Sequence, residues 1–173
     1  MGHRNFRTAH GIGGSLEDIH LVLRACLQLG QLERASVMVR RLGEIYNSDS
    51  NELLDAHNAY LGRIVDKLAV SEDQTLPQQM NRWLEVEMNG KGIAPDKITF
   101  ALAIRATFYC FNEKWVERSV RRIMDMADQY GIYVEVRDAA LGQLTREEAI
   151  RFIKVRRITF VDKIKQKLIF RVV

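Results

Sequence analysis

The chain has 173 residues, 47% of them hydrophobic and 28% charged, enough for one domain with a buried core and too apolar for a disordered chain. A formal net charge of +4 permits a nucleic-acid partner without requiring one. Two cysteines exclude a disulfide framework and a zinc cluster built from cysteine alone, and no run approaches the roughly 18 apolar residues of a membrane span.

The opening MGHRNFRTAHGIGG is basic, holds no acid, and lacks the apolar block of a secretory signal. Residues 1–14 therefore read as a disordered or presequence-like tail. The GIGG within it lacks the full glycine spacing of a dinucleotide fingerprint, and no strand pattern precedes it.

Ser15 with Asp18 predicts a capped helix start. Ile19, Val22, Leu23, Cys26 and Leu29 give it an apolar stripe at helical spacing, and Gly30 ends it. A second stripe runs from Leu32 through Val39 and Leu42 to Tyr46, and the turn formers of NSDSN follow. Leu53, His57, Tyr60, Ile64 and Leu68 predict a third helix. Thr75 with Gln78 reads as a capping box with Pro77 in the first turn, opening a fourth helix through Met80, Trp83, Leu84 and Met88.

The stretch LEVEMNGKGIAPDKITFALAI, from Leu84 to Ile104, writes out a joint between helices. Asn89, Gly90 and Gly92 offer positive φ, Pro95 stops the old helix, and Asp96 can cap the new one. A fifth helix follows through Ile98, Arg105 and Phe108, then a turn at Phe111 and Asn112. A sixth runs through Val116, Val120 and Ile123 to Gly131. Thr145 with Glu148 caps one more. The final ITFVDKIKQKLIFRVV is β-branched and basic and has no clear element.

Three helical hairpins thus recur at the spacing of solenoid repeats, and none can bury its apolar faces alone. The expected fold is all-α: stacked antiparallel helical hairpins, about three repeats over residues 15–134, with an additional helix and basic tail over 135–173. Cys26 and Cys110 lie inside apolar helical patterns and read as reduced core thiols of an intracellular protein.

Nothing in the chain reads as catalytic, metal-binding or cofactor-binding. Phosphoryl transfer needs carboxylates grouped around metal ions, and the 22 acids here are scattered along helix faces. His3, His10, His20 and His57 show no ligand spacing, and no phosphate-cradling glycine loop occurs.

EMNGKGIAPDKITFALAI resembles the join between two pentatricopeptide repeats, and LRACLQLGQLERASVMVRRL the middle of one. Together with LLDAHNAYL these segments resemble the amino-terminal pentatricopeptide-like region of fungal mitochondrial RNA polymerases, the single-subunit, phage-type enzymes. The resemblance covers roughly residues 16–130. It implies a mitochondrial matrix protein of transcription, present here as a fragment, a truncated gene model or a stand-alone relative without the catalytic body. The implied partners are single-stranded RNA, at low specificity, and a transcription factor or the polymerase body. The rival readings are a stand-alone organellar RNA-processing factor and a protein-interaction scaffold.

In pentatricopeptide arrays the first helix of each pair lines the RNA groove. The resemblance puts His20 and Ala101 near base-reading positions, where that family favours Asn, Ser or Thr. Alanine cannot read a base edge, which argues against sequence-specific readout. Arg24 and Arg105 lie one turn further on, and Lys97 begins the fifth helix. The expected RNA-contact residues are therefore His20, Arg24, Lys97 and Arg105, weighed against the plain alternative that they are solvated surface charges. The aromatics Tyr60, Trp83, Phe100, Phe108, Tyr109 and Trp115 fall mostly on apolar faces and are expected in the core.

Overall fold

The computed structural model describes residues 15–155. The amino-terminal tail and the basic tail from Arg156 onward lie outside the described residues. Every regular element within them is helical, in keeping with the all-α expectation. The helices are α1 (Leu16–Gln28), α2 (Leu32–Ile45), α3 (Asn51–Leu68), α4 (Leu76–Arg82), α5 (Lys97–Phe108), α6 (Glu113–Gln129), α7 (Tyr133–Leu141) and α8 (146–155). They form two compact units. The first takes described residues 15–71 and 82–94, the second 72–81 and 95–155.

In the first unit, α1 starts at a reciprocal cap. Ser15 Oγ accepts from the Asp18 amide at 3.3 Å, and the Ser15 amide donates to Asp18 Oδ2 at 2.7 Å. A three-residue turn returns the chain, so α1 and α2 pack side by side and antiparallel; α3 packs against α2. Leu23 and Leu27, Val39 and Leu42, and Leu53, Leu61 and Ile64 fill the core between them.

One closure recurs at three helix ends. Gly30, Gly92 and Gly131 hold φ of 68°, 72° and 73°, where a side chain would strain the backbone. In each case the next amide reaches back to close the helix: Gln31 to the Cys26 carbonyl at 2.9 Å, Ile93 to Met88 at 3.0 Å, Ile132 to Ala127 at 3.0 Å. Of the three residues expected to supply positive φ in the central joint, Gly92 alone does; Asn89 stays in the right-handed region.

The fourth helix departs from its expected form. Beyond Arg82 its residues Trp83–Met88 are wound as a π-helical turn, followed by a single 3-10 turn, Asn89–Lys91. WLEVEM carries an ordinary amphipathic pattern that does not foretell the wider winding. Its start differs too. The Thr75 hydroxyl donates to Asp73 Oδ1 at 2.6 Å, so the acid before Thr75 organises this turn.

In the second unit α5 is buried on nearly every side, with α6 and α7 packed against it. Ala101, Ala103 and Ala106 are fully enclosed, and these small side chains let neighbouring backbones approach. Asp96 and Thr99 form the expected cap, with the Thr99 amide donating to Asp96 Oδ1 at 2.8 Å. Helix α7 was not foreseen. YVEVRDAAL alternates like a strand over its first residues, and only Val136 and Ala140 turn fully inward. Thr145 and Glu148 do cap α8, which buries Phe152 completely. Phe152→Ala should cost about 3–5 kcal/mol. Urea denaturation followed by far-UV circular dichroism measures it, and a loss below about 1 kcal/mol would mean that α8 is not part of this core.

Candidate functional site

The four expected RNA-contact residues divide between the units, and their surroundings differ. In the first unit His20 is half-buried, and its Nε2 shares a hydrogen bond of 3.0 Å with the Tyr46 hydroxyl at the end of α2. Arg24, one turn further along α1, is exposed. In the second unit Lys97 is exposed at the first position of α5. Arg105 is half-buried, and its guanidinium donates to the Gln143 carbonyl and to the Tyr109 hydroxyl, the latter at 3.3 Å. Arg24 and Lys97 are thus open to a phosphate, whereas His20 and Arg105 hold intramolecular bonds that an RNA contact would have to replace.

Ala101 corrects the alignment it came from. It is fully buried, so it cannot stand at a base-reading position. The more open side of α5 is the line Ile98, Leu102, Arg105 and Tyr109, at helical spacing.

A denser cluster sits in the first unit, around the π turn. The Trp83 indole N–H donates to His57 Nδ1 at 2.9 Å, with both residues buried. The Tyr60 ring lies 4.4 Å from the indole, centroid to centroid. The Arg40 guanidinium lies 5.0 Å over the indole and bonds Glu87 Oε1 at 2.9 Å. Lys91 pairs with the other Glu87 oxygen at 2.7 Å. Burial opposes the charge on Glu87, but the Lys91 ammonium and the Arg40 guanidinium outweigh it and hold the carboxyl below its ordinary range. Burial raises the Tyr60 phenol and pushes the His57 imidazole down to about 4. His57 is therefore neutral at physiological pH, as its role as acceptor from Trp83 requires. Sequence reading treated Trp83, His57 and Tyr60 as core and had no means of seeing the cluster, because His57 and Trp83 lie 26 residues apart.

Cys26 and Cys110 are buried free thiols. Among the described residues no group of three or more His, Cys, Asp or Glu side chains is placed to hold a metal ion, and no helix is long and apolar enough to cross a membrane.

A family model described as RPO41-like, TPR repeats matches residues 2–166. The chain belongs to this RPO41-like family. The resemblance drawn from the central joint and its neighbours is thereby borne out. A Neurospora crassa protein named DNA-directed RNA polymerase, mitochondrial, is 29% identical over 118 residues, which are 68% of this chain and 8% of that relative. The chain thus spans under a tenth of the polymerase it matches. No solved structure matches it. The family description fits the helical hairpins of this RPO41-like chain, in which three helices end on a positive-φ glycine.

The His57 site makes the stability of the RPO41-like chain depend on pH. A buried imidazole near 4, against 6.5 for the free group, binds its proton more weakly folded than unfolded. Its contribution is complete above about pH 6.5, falls as acid is added, and is lost through about pH 4, roughly 3 kcal/mol in all. Urea denaturation across that range should show the decline. His57→Leu should flatten the histidine part of it, at a cost of about 1–3 kcal/mol at neutral pH for the orphaned indole N–H. An equal decline in both proteins would assign the effect to carboxylates.

Proposed function

We propose that this chain is the helical-repeat region of a mitochondrial RNA polymerase, located in the matrix, and that it supports transcription by holding emerging single-stranded RNA weakly. The observation that carries the polymerase assignment is the RPO41-like match over residues 2–166, supported by the fungal mitochondrial polymerase that is 29% identical to this chain. In this reading nucleotide addition belongs to a catalytic body elsewhere in the enzyme. The repeats handle product strand or partner.

The RNA role rests on charge and exposure. Arg24 and Lys97 meet phosphates, while His20 and Arg105, bonded to Tyr46 and Gln143, lend less. With Ala101 buried and no base-reading side chain in its place, the contact reads backbone rather than sequence, and phosphate neutralisation dominates it. A second reading, a protein-holding scaffold, is favoured by the apolar side chains exposed on α1 and at its C-cap, Leu21 at 61% and Leu29 at 72%.

Anisotropy titration of a labelled oligouridine should give weak binding. For three phosphate contacts it should weaken by about tenfold or more between roughly 50 and 200 mM salt. Absence of binding at the lower salt would remove the RNA role. Recovery of the polymerase body on this chain after nuclease treatment would favour the scaffold.

A further inference from the structure

We infer that the solvent face of α6, entered at Phe111, is a second single-stranded RNA contact, distinct from the residues suggested by repeat alignment. It rests on the RNA reading above and names where most of that contact is made.

The argument begins with what α6 leaves in water. Val116, Val120, Ile123, Met124 and Ala127 turn inward, and the opposite side carries Trp115, Arg118 and Arg122. At 100° per residue these three fall within an arc of about 60° and span roughly 10 Å of helix. Lys114 flanks them, exposed. Acids are present too. Glu113 is drawn toward Arg151 at 3.8 Å and Glu117 lies off the line, while Asp125 falls on the same side, one turn beyond Arg122; Arg118 Nε donates to the Lys114 carbonyl at 3.3 Å, a bond a phosphate would have to share. Exposed arginines alone would mean little.

The aromatics give the line its character. Phe111, immediately before the helix cap, is 73% exposed, while Phe100, Phe108 and Phe152, the other described phenylalanines, are buried. Trp115 is half-buried, whereas Trp83 is enclosed. An exposed ring just before the cap, a second ring in the first turn of the helix, and cations along the side that carries it match the needs of an unpaired strand, with faces for bases and charges for phosphates.

The rings are also held ready. Gln74 takes the Phe111 amide on its Oε1 at 2.9 Å and donates through Nε2 to the Tyr109 carbonyl at 3.3 Å, so one side chain pins the turn from both sides. Asn112 Oδ1 accepts the Trp115 amide at 3.1 Å. Little backbone ordering remains to be done on binding.

The test is the oligouridine titration on the full 173-residue chain at low salt, with far-UV circular dichroism confirming that each variant folds. Arg118→Glu with Arg122→Glu should weaken binding by about tenfold or more, and Phe111→Ser by about fivefold or more. Oligouridine should quench the Trp115 emission of the native chain, and the quench should vanish in Trp115→Phe. Arg24→Glu with Lys97→Glu should have the smaller effect. If that pair instead abolishes binding while the α6 variants bind normally, this inference fails and the RNA reading stands. If nothing binds, both fail. If polyglutamate displaces the RNA and Phe111→Ser binds normally, α6 is a general anion patch and the inference is overturned.

Discussion

A helix with one apolar side cannot stay in water, and its neighbours must cover that side without trapping an unpaired polar group. Trp83 in the first unit and Thr107 in the second meet this demand in different ways, although Ser71 Oγ and Arg121 Nε stay buried without a hydrogen bond. In the first, the largest side chain at the π turn is Trp83, whose ring must be buried and whose N–H must still find an acceptor. His57 supplies it. The imidazole is then kept neutral, the Tyr60 ring fills the space beside the indole, and the guanidinium of Arg40 lies over its face while bonded to Glu87. A single indole thus links α2, α3 and the π turn through packing, a hydrogen bond and charge at once.

The second unit meets the same demand with small side chains. α5 is enclosed on most sides, so its alanines rather than large residues set how near α6 and α7 come. Its buried Thr107 hydroxyl donates to the Ala103 carbonyl at 2.8 Å, so that hydroxyl is paired. What remains open on α5 is a narrow line ending at Arg105 and Tyr109, and the Arg105 guanidinium is committed to the Gln143 carbonyl. Such a helix has little surface to offer a ligand, whereas α6 leaves a whole side exposed.

Local signals in the sequence carried far. The caps at Ser15, Asp96 and Thr145 each depend on a partner three residues away, and all three form. The apolar stripes of α1 to α6 name most of the core because helical period and burial coincide. The reading failed where periodicity is weak or partners are distant. Helix α7 opens with alternating residues that suit a strand, and neighbouring helices decide the matter. The π turn shares its residue pattern with an ordinary helix. Arg105 looked like a free surface charge because Gln143 lies 38 residues away. Phe111 looked like a plain turn residue, and only its exposure, just before the cap of α6, sets it apart.

The clamp at Gln74 has a consequence for which residues that position will tolerate. Its carboxamide gives a proton to Tyr109 and takes one from Phe111, two opposite duties on one planar group. A glutamate of the same shape loses the first, a lysine loses the second, and an asparagine is one methylene short of the reach. The short polar connector after α3, which looks like mere spacer, therefore belongs to the architecture of a turn more than thirty positions downstream.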